Sequence, residues 1–123
     1  MRAHYRIENT TRGTILANQS EKASTHIRRG VGLMGRRGLP EGGGLIIQPC
    51  NSIVCFFMRF PIDVLFIDAN NRACHLYRSM RPWRTSRIVR ASKFVIELPA
   101  GAIEETGTEL GDEMRVLPAD EQK

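Results

Sequence analysis

Three charged residues stand where apolar strands are expected. Arg59 follows the run Ile53-Val54-Cys55-Phe56-Phe57-Met58, Glu97 follows Phe94-Val95-Ile96, and Asp63 directly precedes Val64-Leu65-Phe66-Ile67. Charged side chains are seldom buried without a partner, because the low-dielectric interior penalises an isolated charge. If the strands are neighbours, Arg59, Asp63 and Glu97 form one polar cluster in a concave wall. Such a cluster has a functional reading, with Arg59 clamping an anion and Asp63 or Glu97 acting as acid/base. It also has structural readings: an Arg59–Glu97 salt-bridged strut, or a Glu97 that faces solvent.

A second set carries only one sign. Arg78, Arg81, Arg84, Arg87, Arg90 and Lys93 recur every third residue, Trp83 sits among them, and no acid occurs between Asp68 and Glu97. Period three in an irregular segment containing Pro82 aligns the charges if the chain runs as polyproline II. Cations interleaved with an aromatic suit a phosphate or nucleic-acid surface, with weak and non-specific affinity expected. The competing reading is a solvated loop neutralised by the acidic carboxyl end.

Other motifs assign no reaction. Gly30-Val31-Gly32-Leu33-Met34-Gly35 spells G-x-G-x-x-G. The dinucleotide site that uses this pattern needs a strand before it, a helix opening at it and an acid about 20 residues on. Here a helical pattern precedes it, and Cys55 stands near the acid's place. Its glycines read as a helix end and turn, and no nucleotide or other cofactor is expected. His4, His26 and His75 are far apart, no Cys-x-x-Cys occurs, and no metal site is expected. There is no G-x-S-x-G elbow and no P-loop.

The elements that must position these residues are mainly strands. Alternation predicts a hairpin from His4–Glu8 and Thr14–Ala17 around Asn9-Thr10-Thr11-Arg12-Gly13. Ser20 reads as a helix N-cap ahead of Ala23, Ile27, Val31 and Met34 at helical spacing. From Leu45 the pattern is β. Leu45–Ile47, Ile53–Met58, Val64–Ile67, Ala73–Tyr77, Phe94–Leu98 and Glu113–Leu117 read as strands, several apolar on both faces like central strands. Asp68–Arg72 and Gly111-Asp112 are turns. Ala102–Thr106 reads as one helical turn stopped by Gly107. Strands do not alternate regularly with helices. The expectation is therefore a compact, mainly antiparallel β-sandwich or barrel with one or two short helices.

The 123 residues make room for one domain, with a frayed tail from Pro118. An apolar share of 41% rules out wholesale disorder. No apolar run approaches the roughly 20 residues of a membrane helix, and the basic start Met1–Arg6 has no apolar stretch after it to make a signal peptide. Three cysteines, Cys50, Cys55 and Cys74, exclude a fully paired disulfide framework and favour a reducing cytoplasm. The net charge of +5 hides an asymmetry. Residues to Ile96 hold 16 basic and 5 acidic side chains, and those from Glu97 hold 2 and 8. Either the acidic end folds over a basic face or the molecule has two electrostatic surfaces.

Taken in order, Gly32-Leu33-Met34-Gly35-Arg36, Leu39-Pro40, Gly44-Leu45, Phe57-Met58-Arg59-Phe60-Pro61-Ile62-Asp63-Val64-Leu65-Phe66-Ile67-Asp68, Val95-Ile96-Glu97-Leu98-Pro99-Ala100-Gly101 and Gly111-Asp112 resemble family 192 of the domains of unknown function. The likeness runs from about Ile15 to Val116. It implies a small bacterial and archaeal domain with a jelly-roll-like β architecture, and no catalytic residue or cofactor. Many relatives read aromatic-Trp-Met-Lys-Asn-Thr where this chain has Phe56–Pro61. Those of the Phe-Met-Arg-Phe-Pro-Ile-Asp branch often carry His-Thr where it has Val54-Cys55. That difference removes an ionisable group from the strand.

The functional expectation is a cytoplasmic, non-catalytic binding module for a protein or an anionic ligand. The alternative is an enzyme acting on a small anionic substrate, with Arg59 as clamp and a carboxylate as acid/base.

Overall fold

A computed structural model describes residues 4–23, 42–50, 52 and 60–119. Among the described residues seven strands follow one another: β1 (Tyr5–Asn9), β2 (Thr14–Ala23), β3 (Gly43–Ile47), β4 (Ile62–Asp68), β5 (Ala73–Met80), β6 (Ser92–Pro99) and β7 (Met114–Pro118). One helical turn, α1 (Ala102–Thr106), lies between β6 and β7. All seven strands form one sheet in the order β5-β4-β6-β3-β2-β1-β7. The sheet curls until its edge strands meet at one end, through a bridge between Arg72 and Glu113. The result is a mainly β half-barrel with one short helix among the described residues, in line with the expected architecture. The pairs are antiparallel except β2 with β3, which run parallel.

The apolar patterns explain the layering. In β4 every residue from Ile62 to Ile67 is buried, so both faces of this strand are covered. The sheet therefore separates two cores. Ile7, Ile46, Leu65, Ile67, Ile96 and Leu98 point into the curl, where α1 adds Ala102 and Ile103. Leu45, Ile47, Val64, Phe66 and Val95 point outward, against Met80, Val89 and Phe60.

Turns fall where their chemistry demands. Asp68 accepts backbone N–H bonds from Asn70 at 2.9 Å and Arg72 at 3.0 Å, and Asn71 takes the left-handed backbone at φ 61°. Gly107 caps the end of α1 at φ 69°, as the glycine in that position predicts.

The differences from the sequence reading have physical causes. Ser20 is no helix cap: it is buried in β2, which extends to Ala23. Pairing with β1 on one side and β3 on the other holds this polar stretch as a strand. The rest of that expected helix, the glycine fingerprint and the strand Ile53–Met58 lie outside the described residues. Pro118 is not frayed; it pairs with Tyr5, and Ala119 N–H donates to the carbonyl of His4 at 2.9 Å.

Candidate functional site

Of the expected cluster, the structure places Asp63 and Glu97, and the two stand apart. In the β4–β6 register Asp63 faces Leu98, and Glu97 faces Val64. Leu98 belongs to the inner core and Val64 to the outer one, so the two carboxylates lie on opposite faces of the sheet. Arg59 lies outside the described residues. Asp63 is 1% exposed, and its oxygens are already occupied. Oδ1 accepts Ser79 N–H at 2.8 Å, while Oδ2 accepts Gly101 N–H at 3.1 Å and Ile103 N–H at 2.8 Å. The β4–β5 register shifts between Ile62 and Val64, where Arg78 and Ser79 oppose Asp63 and Ser79 takes φ 50°. Asp63 thus fastens this bulge of β5 to the start of α1. A carboxylate holding three backbone donors is a strut, not a free base.

The basic row is placed outside. Arg78, Arg81, Trp83, Arg84, Arg87, Arg90 and Lys93 are all exposed. The segment is not one polyproline helix. It turns at Pro82-Trp83, with Trp83 at φ 68°, a left-handed backbone that is rare for a bulky residue. It is pinned to the outer face by Arg87 N–H donating to the Tyr77 hydroxyl at 3.0 Å, and by the buried side chain of Val89. Trp83 is 59% exposed and Ile88 64%. Among the described residues none of the six cations of the row makes an ion pair.

The carboxyl-terminal acids turn elsewhere. Asp112, 3% exposed, accepts Arg12 Nε at 2.9 Å and Nη2 at 3.3 Å, Asn9 Nδ2 at 2.9 Å and Glu109 N–H at 3.0 Å. Burial pushes the Asp112 carboxyl up, but the hydrogen bonds from Arg12, Asn9 and Glu109, with the Arg12 charge, hold it below the usual carboxylate range. The Asp112 hydrogen bond and charge raise Arg12 in turn. Asn9, fully buried, also donates to Thr108 Oγ1 at 3.1 Å. This knot ties the first hairpin to the loop after α1. Its partners are 99 to 103 positions apart, and nothing local in the sequence marks them as a set.

A cleft of about 400 Å³ opens into the curl beside the Arg72–Glu113 bridge. Its apolar lining residues are Ile46, Phe94, Met114 and Val116, of which Ile46 and Met114 are almost fully buried. Its polar lining comes from Thr10, Lys22, Gln48, Asn71, Glu113 and Arg115. Lys22 Nζ lies 4.8 Å from the centre of the Tyr5 ring. Glu113 receives the Thr10 hydroxyl at 3.1 Å. Sequence reasoning missed this site because its residues come from β2, β3, β6, β7 and the β4–β5 turn.

Of the histidines, His4 is exposed and His75 packs its ring 5.0 Å from Tyr77 and 5.9 Å from Phe66. His26 and Cys55 lie outside the described residues; among the described residues no group of three or more metal-ligating side chains occurs. Burial pushes the Cys74 thiol up, away from the reactive thiolate. No helix of the described residues is long and apolar enough to cross a membrane.

The match to family 192 of the domains of unknown function, described as Uncharacterized ACR, covers residues 7–116. The chain belongs to this family. A UPF0127 protein of Pyrococcus furiosus is 32% identical over 111 residues, covering 86% of this chain and 93% of that one. A UPF0127 protein of Thermococcus sibiricus is 33% identical over 110 residues, covering 86% and 71%. Two crystal structures share the fold of this family member. A protein of unknown function from Novosphingobium aromaticivorans superposes with a TM-score of 0.79 at 20% identity, covering 91% of this chain and 83% of that one. A putative transcription regulator from Sinorhizobium meliloti gives 0.77 at 23% identity, covering 94% of each.

Proposed function

We propose that the domain is a non-catalytic binding module that docks an acidic protein surface on its outer face, through the row Arg78–Lys93. The observation that carries this reading is the pairing of exposed apolar anchors with unpaired cations. Trp83 and Ile88 stand more than half exposed among six cations that make no ion pair within the described residues. Tryptophan and arginine dominate the energetic centres of protein interfaces. Phosphate binding explains the arginines and stacking explains Trp83, but neither uses Ile88; an aliphatic anchor suits an apolar pocket in a protein. The left-handed Trp83 holds strain of the kind that accumulates where a side chain must be presented. The enzyme reading has the occupied Asp63 against it.

The test places a photo-crosslinking amino acid at position 88 in the protein's own cells. The captured protein is then purified and titrated against wild type, Trp83→Ala, Ile88→Ser and Arg81→Ala/Arg84→Ala/Arg87→Ala. An acidic partner whose affinity falls at least about tenfold in Trp83→Ala and in the triple variant supports the reading. A labelled single-stranded oligonucleotide is titrated alongside by fluorescence anisotropy. Binding with a log–log salt slope near −3, about 0.7 per phosphate contact, that ignores Ile88→Ser assigns the face to nucleic acid instead. Binding of neither overturns the proposal.

A further inference from the structure

We infer that the acidic surface received by the row is the carboxyl-terminal end of a second copy of this chain. The inference rests on the docking role proposed for the row and names its partner. Residues 101–113 mirror the row: they hold Glu104, Glu105, Glu109, Asp112 and Glu113 and no cation. Four of these acids are exposed; Glu109 pairs with Arg12 and Glu113 accepts the Thr10 hydroxyl, whereas Glu104 and Glu105 make no ion pair among the described residues. Each surface also carries an apolar knob. Leu110 is 60% exposed among the acids, as Trp83 and Ile88 are among the cations. The backbone holds Leu110 out. Asp112 N–H donates to the Glu109 carbonyl at 3.1 Å and Gly111 takes φ 91°, so Leu110 and Gly111 are the central pair of a tight turn. Glu109 N–H donates in return to Asp112 Oδ2 at 3.0 Å, and Arg72 Nη1 to the Gly111 carbonyl at 2.9 Å. A turn ordered before contact lowers the cost of binding. Within one copy these acids meet Arg12 of the first hairpin and no cation of the row. Between copies the two surfaces complement each other in charge and in apolar anchors. The row lies on the outer face, while α1 packs into the curl. The contact therefore runs head to tail, with the turn of one copy on the row of the next.

The test is sedimentation of the purified full chain from low micromolar to near millimolar concentration. The expected mean mass rises with concentration, and the rise shrinks in high salt. Leu110→Ser/Glu104→Gln/Glu105→Gln and the row variant Arg81→Ala/Arg84→Ala/Arg87→Ala should each self-associate at least about tenfold more weakly. Mixed together, they should form a one-to-one dimer of near wild-type affinity that grows no further, because each supplies the surface the other lacks. That recovery also shows that both variants are folded. A photo-crosslinking amino acid at position 88 of the purified chain should give a two-chain product linked within residues 109–111. A monomer at every concentration, wild-type association in either variant, or no dimer in the mixture overturns the inference. If the chain stays monomeric while position 88 captures a different acidic protein in cells, the second copy is excluded and the docking role of the row stands. If neither is captured, both fall.

Discussion

Asp112 shows how much one side chain can hold. Four donors from Arg12, Asn9 and Glu109 reach its two oxygens. Its folded-state carboxyl titrates below the ordinary carboxylate value of about 3.9. The ionised form is therefore favoured by folding, and its contribution is complete above that value and lost as the pH falls through the folded one. Urea unfolding from pH 7 down to about 3 should show wild-type stability falling below about pH 4. Asp112→Asn should be less stable than wild type at pH 7, with the gap narrowing on acidification. A gap independent of pH would mean that the carboxylate charge contributes nothing. None of this was legible in the sequence, where Gly111-Asp112 reads as a turn and Asn9 to Gly13 as another. Both turns are real; their contact is made by the path of the chain between them. Asp63 is the converse case. Its placement before an apolar strand correctly marked a buried carboxylate, but the donors that occupy it are backbone groups, which a sequence does not distinguish.

At the scale of the element, α1 is only five residues long and has no side-chain cap of its own. Gly101, at its N-cap, has φ 98°, and its neighbour across space, Asp63, accepts the orphan N–H groups. A Cβ at Gly101 meets nothing within 4 Å, so Gly101→Ala carries only the backbone penalty, roughly 1–2 kcal/mol. Gly44 is limited by space instead. A Cβ there comes to 2.9 Å from Ser20 Oγ, 3.1 Å from the Glu97 carbonyl and 3.2 Å from Leu98 Cδ2. Gly44→Ala should cost about 1–3 kcal/mol through overpacking and should shift the amides of β2 and β6. Thermal melts and amide spectra separate the two: a spectral change confined to α1 in both variants would refute the distinction. Strands with strong alternation or continuous apolar character were readable from Leu45 onward. The extension of β2 was not, because Asn18, Gln19, Glu21 and Lys22 are too polar to announce a strand, and two neighbouring strands impose it.

Over the whole molecule, the charge asymmetry resolves into separate surfaces. Glu109 and Asp112 engage Arg12, and the row from Arg78 to Lys93 keeps its charges to itself among the described residues. Like charges this close repel through a solvent that salt screens over about 10 Å at 0.1 M. Raising the ionic strength from near zero to about 0.15 M should therefore raise the melting temperature of wild type. Arg81→Ala/Arg84→Ala/Arg87→Ala should start higher at low salt and respond less. An equal response in both would place the dominant repulsion elsewhere.

The pairing of β1 with β7 joins residues 5–9 to residues 114–118. A ribosome makes the first of these strands long before the last. Until β7 emerges, β1 keeps a row of open hydrogen-bonding groups on the side away from β2, and the Arg72–Glu113 bridge has no second half. The sheet is thus completed only once residues 114–118 have been made, and the nascent chain must be kept from pairing its open edge with another copy in the meantime. A message truncated ahead of Met114 would yield not a slightly smaller domain but a chain fixed in that unfinished, self-adhesive state.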